Sequence, residues 1–215
     1  MKAYFSPSDQ VSNTYIVGNT NEAEQCREIC QLAVKAAERC GIDAKTNVTG
    51  SMAERVADSN AWGADLHVPV HTNGADGKAD GTLLMCYDLI GKGFKASQAI
   101  LKALGPLSPG SDYAIWARPS LYEIRASNAP CAYVEAAFHD NPIEAQWIID
   151  HKAEIAEAIV QGVCEYFGVL YVPPVEEKER RFMVQSNPVD QATAEKLLQL
   201  QLDMKLNPTL LEVII

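Results

Sequence analysis

The sequence predicts an α/β fold: a three-layer domain with a mostly parallel, twisted sheet flanked by helices, filling residues 1–170, followed by a short C-terminal appendage. Three observations predict it. Short apolar runs alternate with helical periodicity through the first 170 residues, which is the pattern of a parallel sheet covered on both faces. A chain of 215 residues that is 47% hydrophobic and 21% charged is enough for one full core. After Leu170 the periodicity gives way to a Pro-led, densely charged stretch.

Taken in order, Lys2–Ser6 reads as a short strand running into a turn-rich loop, Pro7-Ser8-Asp9-Gln10-Val11-Ser12-Asn13. From Asn21 to Arg39 the apolar residues Ala23, Cys26, Ile29, Cys30, Ala33, Val34 and Ala37 recur three and four apart. That spacing predicts a helix with Asn21 as its N-cap and Gly41 as its stop. Gly41–Val48 reads as a strand, and Ser51–Ala61 as a helix whose Ser51 and Glu54 form a capping box. The clearest strand is Ala64–His71; Gly81–Tyr87 is another, and Lys92–Leu104 is a helix. Gly105–Gly110 is a Gly/Pro loop, Ala129–Ala137 a buried strand, and Pro142–Phe167 one or two helices closed by Gly168. Residues 171–181 read as a linker. Residues 182–215 form a small C-terminal segment of unknown role, with a strand at Phe182–Gln185, a helix over Asp190–Leu206 and an apolar end suited to docking or self-association.

Charge and composition exclude several classes. With 28 acidic against 18 basic residues and a formal charge of −10, the chain lacks the Lys/Arg clusters that bind phosphate backbones, so no nucleic-acid partner is expected. No apolar stretch approaches the ~18 residues of a membrane span, and the amino terminus lacks the apolar core of about 7–15 residues that marks a signal peptide. No membrane insertion is therefore expected, and the protein is expected to be cytoplasmic as synthesised. The six cysteines form no CxxC pair, and Cys26 and Cys30 sit inside a helical pattern that leads to Cys40, so all six are expected to be free and mostly buried.

Groups able to hold a metal and move protons gather in three segments. Glu22 stands at the start of a helix, where the free N–H groups favour a carboxylate; the plain alternative is that it only favours the helix start. His71 ends an apolar strand and is followed by Thr72-Asn73-Gly74, and in parallel α/β sheets ligands gather at the carboxyl ends of strands. His67 shares its strand face but lies about 13 Å away along the strand, too far to share one metal, and reads as structural. Glu135 lies in the middle of the apolar run Ala132-Tyr133-Val134-Glu135-Ala136-Ala137, where a carboxylate is costly unless paired or functional. Burial there should raise its pKa, which prepares a carboxyl for acid/base work near neutral pH.

At these places the sequence resembles the zinc-dependent N-acetylmuramoyl-L-alanine amidases of cell-wall hydrolases and phage endolysins, over residues 2–168. The family pattern is a strand ending in a Gly-His-Gly-like turn, a Glu opening the first helix, a strand ending in His-x-Asn, and a Glu on a later strand followed by Phe and Asn. Here Glu22, then His71-Thr72-Asn73, then Glu135-Ala136-Ala137-Phe138 with Asn141 match in order and spacing. The resemblance implies hydrolysis of the amide bond between N-acetylmuramic acid and L-alanine in peptidoglycan, with Zn2+ as cofactor, Glu22 and His71 as ligands and Glu135 as general acid/base.

One position departs from the pattern. Where the family places its first zinc-binding histidine, this sequence has Ser6-Pro7-Ser8-Asp9-Gln10, with Asp9 at the matching position. Catalytic zinc needs three protein ligands and an open position. Two residues are candidates for the third: His139, at the carboxyl end of the Glu135 strand, is preferred because it keeps a His/His/Glu set, and Asp9 is the alternative. Asn73 and Asn141 either orient substrate or close turns, and Arg125 pairs either with a substrate carboxylate or with a surface acid. The readings that compete are a degenerate domain that binds peptidoglycan fragments without cutting them, and a different zinc peptidase or amidase. For an endolysin-like amidase without a signal peptide, release at lysis is the expected route to the wall.

Overall fold

In the computed structural model of the protein, the structure describes residues 1–174 other than Asp112, together with residues 195, 196 and 199. Contacts divide the chain into Met1–Pro174 and Val175–Ile215. The expected strand at Phe182–Gln185, the apolar end and the self-association surface lie outside the described residues.

The first unit carries one six-stranded sheet in the order β2-β1-β3-β6-β4-β5. Its strands are β1 (Lys2–Pro7), β2 (Asp43–Thr46), β3 (Leu66–Asn73), β4 (Thr82–Cys86), β5 (Tyr113–Ala117) and β6 (Tyr133–Phe138). All pair in parallel except β4 with β6, which run antiparallel. The α-helices are α1 (Glu22–Arg39), α2 (Met52–Trp62), α3 (Lys92–Leu104), α4 (Tyr122–Ala126), α5 (Pro142–Asp150) and α6 (Lys152–Phe167).

Local chemistry explains most boundaries. Asn21 caps α1 by accepting from the Glu24 N–H, and Ser51 with Glu54 completes a reciprocal capping box on α2. Gly63 ends α2 in the left-handed conformation at φ 69°, which a β-carbon disfavours. Of the one or two helices expected over Pro142–Phe167 the structure has two, which meet at His151, and Asn141 caps the first.

The strand period of two divides the interior. Ala3 and Phe5 of β1, Leu66, Val68 and Val70 of β3, and Val134 and Ala136 of β6 enter the main core with Cys26, Ile29 and Ala33 of α1 and Ile155, Ile159 and Val163 of α6. On the opposite face Tyr4 meets Asp58 and Trp62 of α2, while Tyr133, Leu83 and Met85 meet Ile124 of α4. His67, His71 and Glu135 belong to this second face. All six cysteines are buried and unpaired. The chain stays on the domain past Leu170, since Tyr171 donates to Glu157 and the Val172 carbonyl accepts from Arg39. Among the described residues no helix is long and apolar enough to cross a membrane.

Candidate active site

The parallel strands β1, β3 and β6 bring their carboxyl ends together, and the side chains of interest converge there. The loop after β1 places Gln10 and Asn13, the start of α1 places Glu22, β3 places His71, and β6 places Glu135, which is the register partner of His71. His71 is the hub. Its Nδ1 lies 2.8 Å from Glu22 Oε1 and 3.3 Å from Gln10 Nε2, and its Nε2 lies 3.3 Å from Glu123 Oε2 on α4. Tyr133 stacks on the ring at 4.4 Å between centroids.

Electrostatics follow from this crowding of carboxyl groups about one imidazole. Burial on its own would lower the His71 pKa, but hydrogen bonds with Glu123 and Glu22 outweigh it and raise it to about 10. Glu22 is buried, which alone would raise its pKa; hydrogen bonds from His71 and Asn13 and the His71 charge hold it below the usual value. Glu135 has no such partner among the described residues. Its Oε2 is buried without a hydrogen bond, and burial pushes its pKa up to about 8, with His71 opposing the rise and Glu22 adding to it. A carboxyl held near 8 is a proton acceptor and donor suited to neutral pH.

The family model for N-acetylmuramoyl-L-alanine amidases matches residues 18–165, a span that contains Glu22, His71 and Glu135 in this geometry. The chain belongs to the N-acetylmuramoyl-L-alanine amidase family. It is therefore an enzyme, and its reaction is hydrolysis of the amide bond between N-acetylmuramic acid and L-alanine. The match begins at Gly18, beyond β1 and the loop that carries Asp9 and Gln10.

Solved structures show the same fold. The catalytic domain of the amidase CwlV from Bacillus (Paenibacillus) polymyxa var. colistinus superposes with a TM-score of 0.68 at 15% identity, covering 79% of this chain and 100% of that one. An N-acetylmuramoyl-L-alanine amidase from Clostridium difficile 630 gives 0.66 at 22% identity, over 78% of this chain and 96% of that one. The catalytic domain of the CD27L endolysin, which targets Clostridia difficile, gives 0.65 at 20% identity, over 77% and 97%. No curated protein matches the sequence significantly.

The structure brings some of the expected site residues of this amidase together and separates others. Glu22, His71 and Glu135 meet. His139 does not reach them: its Nδ1 sits 3.0 Å from the Thr72 carbonyl and 3.2 Å from Thr72 Oγ1, and its ring stacks on Tyr15. A β-carbon on Gly74 would stand 3.0 Å from His139 Nε2, so a glycine there gives the ring room. Asp9 is engaged elsewhere, accepting from the Met52 N–H at the start of α2 and facing the buried Arg55 guanidinium at 3.9 Å. Asn141 caps α5 through Ile143 and Glu144 and donates to the Ala79 carbonyl, and Asn73 accepts from the Gly74 N–H.

Arg125 does not join this cluster. It lies over the Tyr122 ring and lines a cavity of about 330 Å³ with Gly93 and Cys131, at the amino end of β6. Among the described residues no group of three or more His, Cys, Asp and Glu side chains is arranged to hold a metal. Zinc dependence is nevertheless the norm of the family. Sequence reasoning passed over Gln10, Asn13 and Glu123. The i, i+3 pair of amides just past β1 was the only local signal for the first two. For Glu123 it was an acid set among Leu121, Tyr122 and Ile124.

Proposed function

We propose that this amidase uses zinc held by Glu22, His71 and Gln10, with Glu135 as general acid/base. The observation that carries the reading is the meeting of Glu22 Oε1 and Gln10 at His71 Nδ1, beside a buried Glu135 oxygen that has no partner. Those residues fit a divalent cation. Several carboxyl groups surround a single imidazole, and a buried surplus of negative charge is relieved by a positive one. Glu22 Oε1 and His71 Nδ1, 2.8 Å apart, would hold it. Gln10 takes the third place rather than His139 or Asp9 because its side chain lies at His71 Nδ1; its Oε1 accepts from Asn13 Nδ2 at 3.0 Å, a bond that a zinc contact would replace. Turned over about its last bond, the Gln10 amide presents Oε1 where Nε2 now lies.

When bound, zinc would supply a lowered water pKa and a polarised substrate carbonyl. The chain's own groups do the rest. Glu135 takes the proton from the attacking water and returns it to the departing alanine nitrogen, a role that suits a carboxyl held near neutrality. Asn13 fixes Glu22 by donating to its Oε2 at 2.6 Å. Thr72 adds a backbone N–H to Glu22 Oε1 and is itself fixed by Tyr15.

Native mass spectrometry with elemental analysis tests the ligand set. Wild type is expected to carry one zinc per chain, His71→Ala none, Gln10→Ala clearly less, and His139→Ala as much as wild type. Loss of zinc in His139→Ala with retention in Gln10→Ala would return the third place to His139. Wild type without zinc after reconstitution overturns the metal assignment.

A further inference from the structure

Behind His71, on the side turned from Glu22, lies a buried set of polar groups that the reaction does not itself use. Glu123 is 1% exposed, and its two oxygens serve different partners. Oε1 accepts from Ser6 Oγ at 2.5 Å and lies 3.3 Å from His67 Nε2, while Oε2 lies 3.3 Å from His71 Nε2. His67 Nδ1 is in turn 3.0 Å from Ser59 Oγ on α2. Ser6, Ser59, His67 and His71 are each 1% exposed or less, so water does not compete for any of these bonds.

A carboxylate this deep is expensive. Moving a charge of that kind out of water costs several kcal/mol, and packing alone would favour an apolar side chain. Three donors offset that cost: Ser6 Oγ and His67 Nε2 face Oε1, and His71 Nε2 faces Oε2. That set of donors suits the ionised carboxylate. An ionised carboxylate accepts and does not donate, so the nitrogen facing it must carry the hydrogen. In neutral His71 that places the N–H on Nε2 and leaves the Nδ1 lone pair facing Glu22.

We propose that Glu123 is a positioning residue of the amidase site: by holding the His71 Nε2–H, with Ser6 and His67 fixing its other oxygen, it orients the ring and presents Nδ1 to zinc. This rests on the zinc reading above. Outer carboxylates that accept from a ligating histidine fix its tautomer and raise its basicity, and their loss weakens metal binding about 10–100-fold. Glu123→Gln keeps the shape of the side chain while removing the charge. Its zinc Kd, measured by chelator competition on the full chain, is expected to rise about 10–100-fold over wild type. A Kd equal to that of wild type overturns the proposal, because a group that only supports the fold would leave metal affinity unmoved. If Glu123→Gln does not fold, nitrogen-15 NMR of the zinc-loaded wild type decides. Nδ1 bound to metal with a protonated, slowly exchanging Nε2 is the expected signature, and metal on Nε2 overturns the proposal. Failure of the zinc reading is distinct from either result, since the wild type itself would then show no zinc binding.

Discussion

Replacing Glu135 with Gln separates chemistry from charge, and each effect has its own magnitude. The side chain keeps its size, and zinc held by its neighbours is expected to remain, so the loss falls on proton transfer. Positioned acid/base groups contribute about 10²–10⁴ in rate, and hydrolysis of purified peptidoglycan, read as new L-alanine amino termini, is expected to fall by at least 10². The metal-free protein gives an independent readout. Its Glu135 carboxyl is raised from 4.5 to about 8, so between those values the folded state keeps a proton that the unfolded state has released. Wild-type stability therefore falls as pH rises through that window. At about 1.4 kcal/mol for each tenfold, the full ionisation penalty reaches about 5 kcal/mol above pH 8. Glu135→Gln carries no such penalty. In chelator, urea unfolding is expected to show the variant gaining on wild type from pH 4 to pH 9, by up to that amount. A stability difference independent of pH, or a variant that hydrolyses as fast as wild type, would refute the reasoning.

Three further outcomes follow from side chains outside the proton path. Asp9→Ala is expected to retain zinc and activity but to lose about 1–3 kcal/mol of stability, because it removes an acceptor at the start of α2 and the carboxylate that faces Arg55; thermal unfolding and zinc content check it together. Asn141→Ala is expected to lose about 1 kcal/mol with KM unchanged, since its side chain caps α5; a raised KM at unchanged stability would assign it to substrate instead. A chain ending after Pro174 is expected to fold and hydrolyse, whereas one ending after Leu170 melts at lower temperature because it lacks the Tyr171–Glu157 and Val172–Arg39 contacts. Equal melting temperatures would show those contacts to be idle.

What could be read without coordinates follows from the range of each interaction. Elements governed by local periodicity and caps appear where the sequence places them: α1 behind Asn21, α2 behind the Ser51–Glu54 box, and α3 over Lys92–Leu104. β5 and α4 leave no such mark in the sequence. β5 is a half-exposed edge strand, so burial imposes little alternation on it, and α4 has only five residues, too few for a helical period to register. The candidate site divides in the same way. Glu135 stands out because a carboxyl in an apolar strand violates a local rule, whereas Gln10 violates none and is tied to the site by a contact with a residue 61 positions away.

The two histidines of β3 show how the fold joins what the strand keeps apart. Along the strand His67 and His71 are too distant for one metal ion, yet both reach one carboxylate, because Glu123 offers a separate oxygen to each from α4. Glu123 thus completes a ring of three acids, with Glu22 and Glu135, about the His71 imidazole. The rise of His71 to about 10 and the rise of Glu135 to about 8 express one imbalance, since protons gather where negative charge exceeds positive. A divalent cation at His71 Nδ1 would displace the first proton and favour release of the second, leaving Glu135 ionised and ready to accept one from water. The same carboxyl groups that make the metal-free site costly would therefore suit a metal-loaded one to hydrolysis.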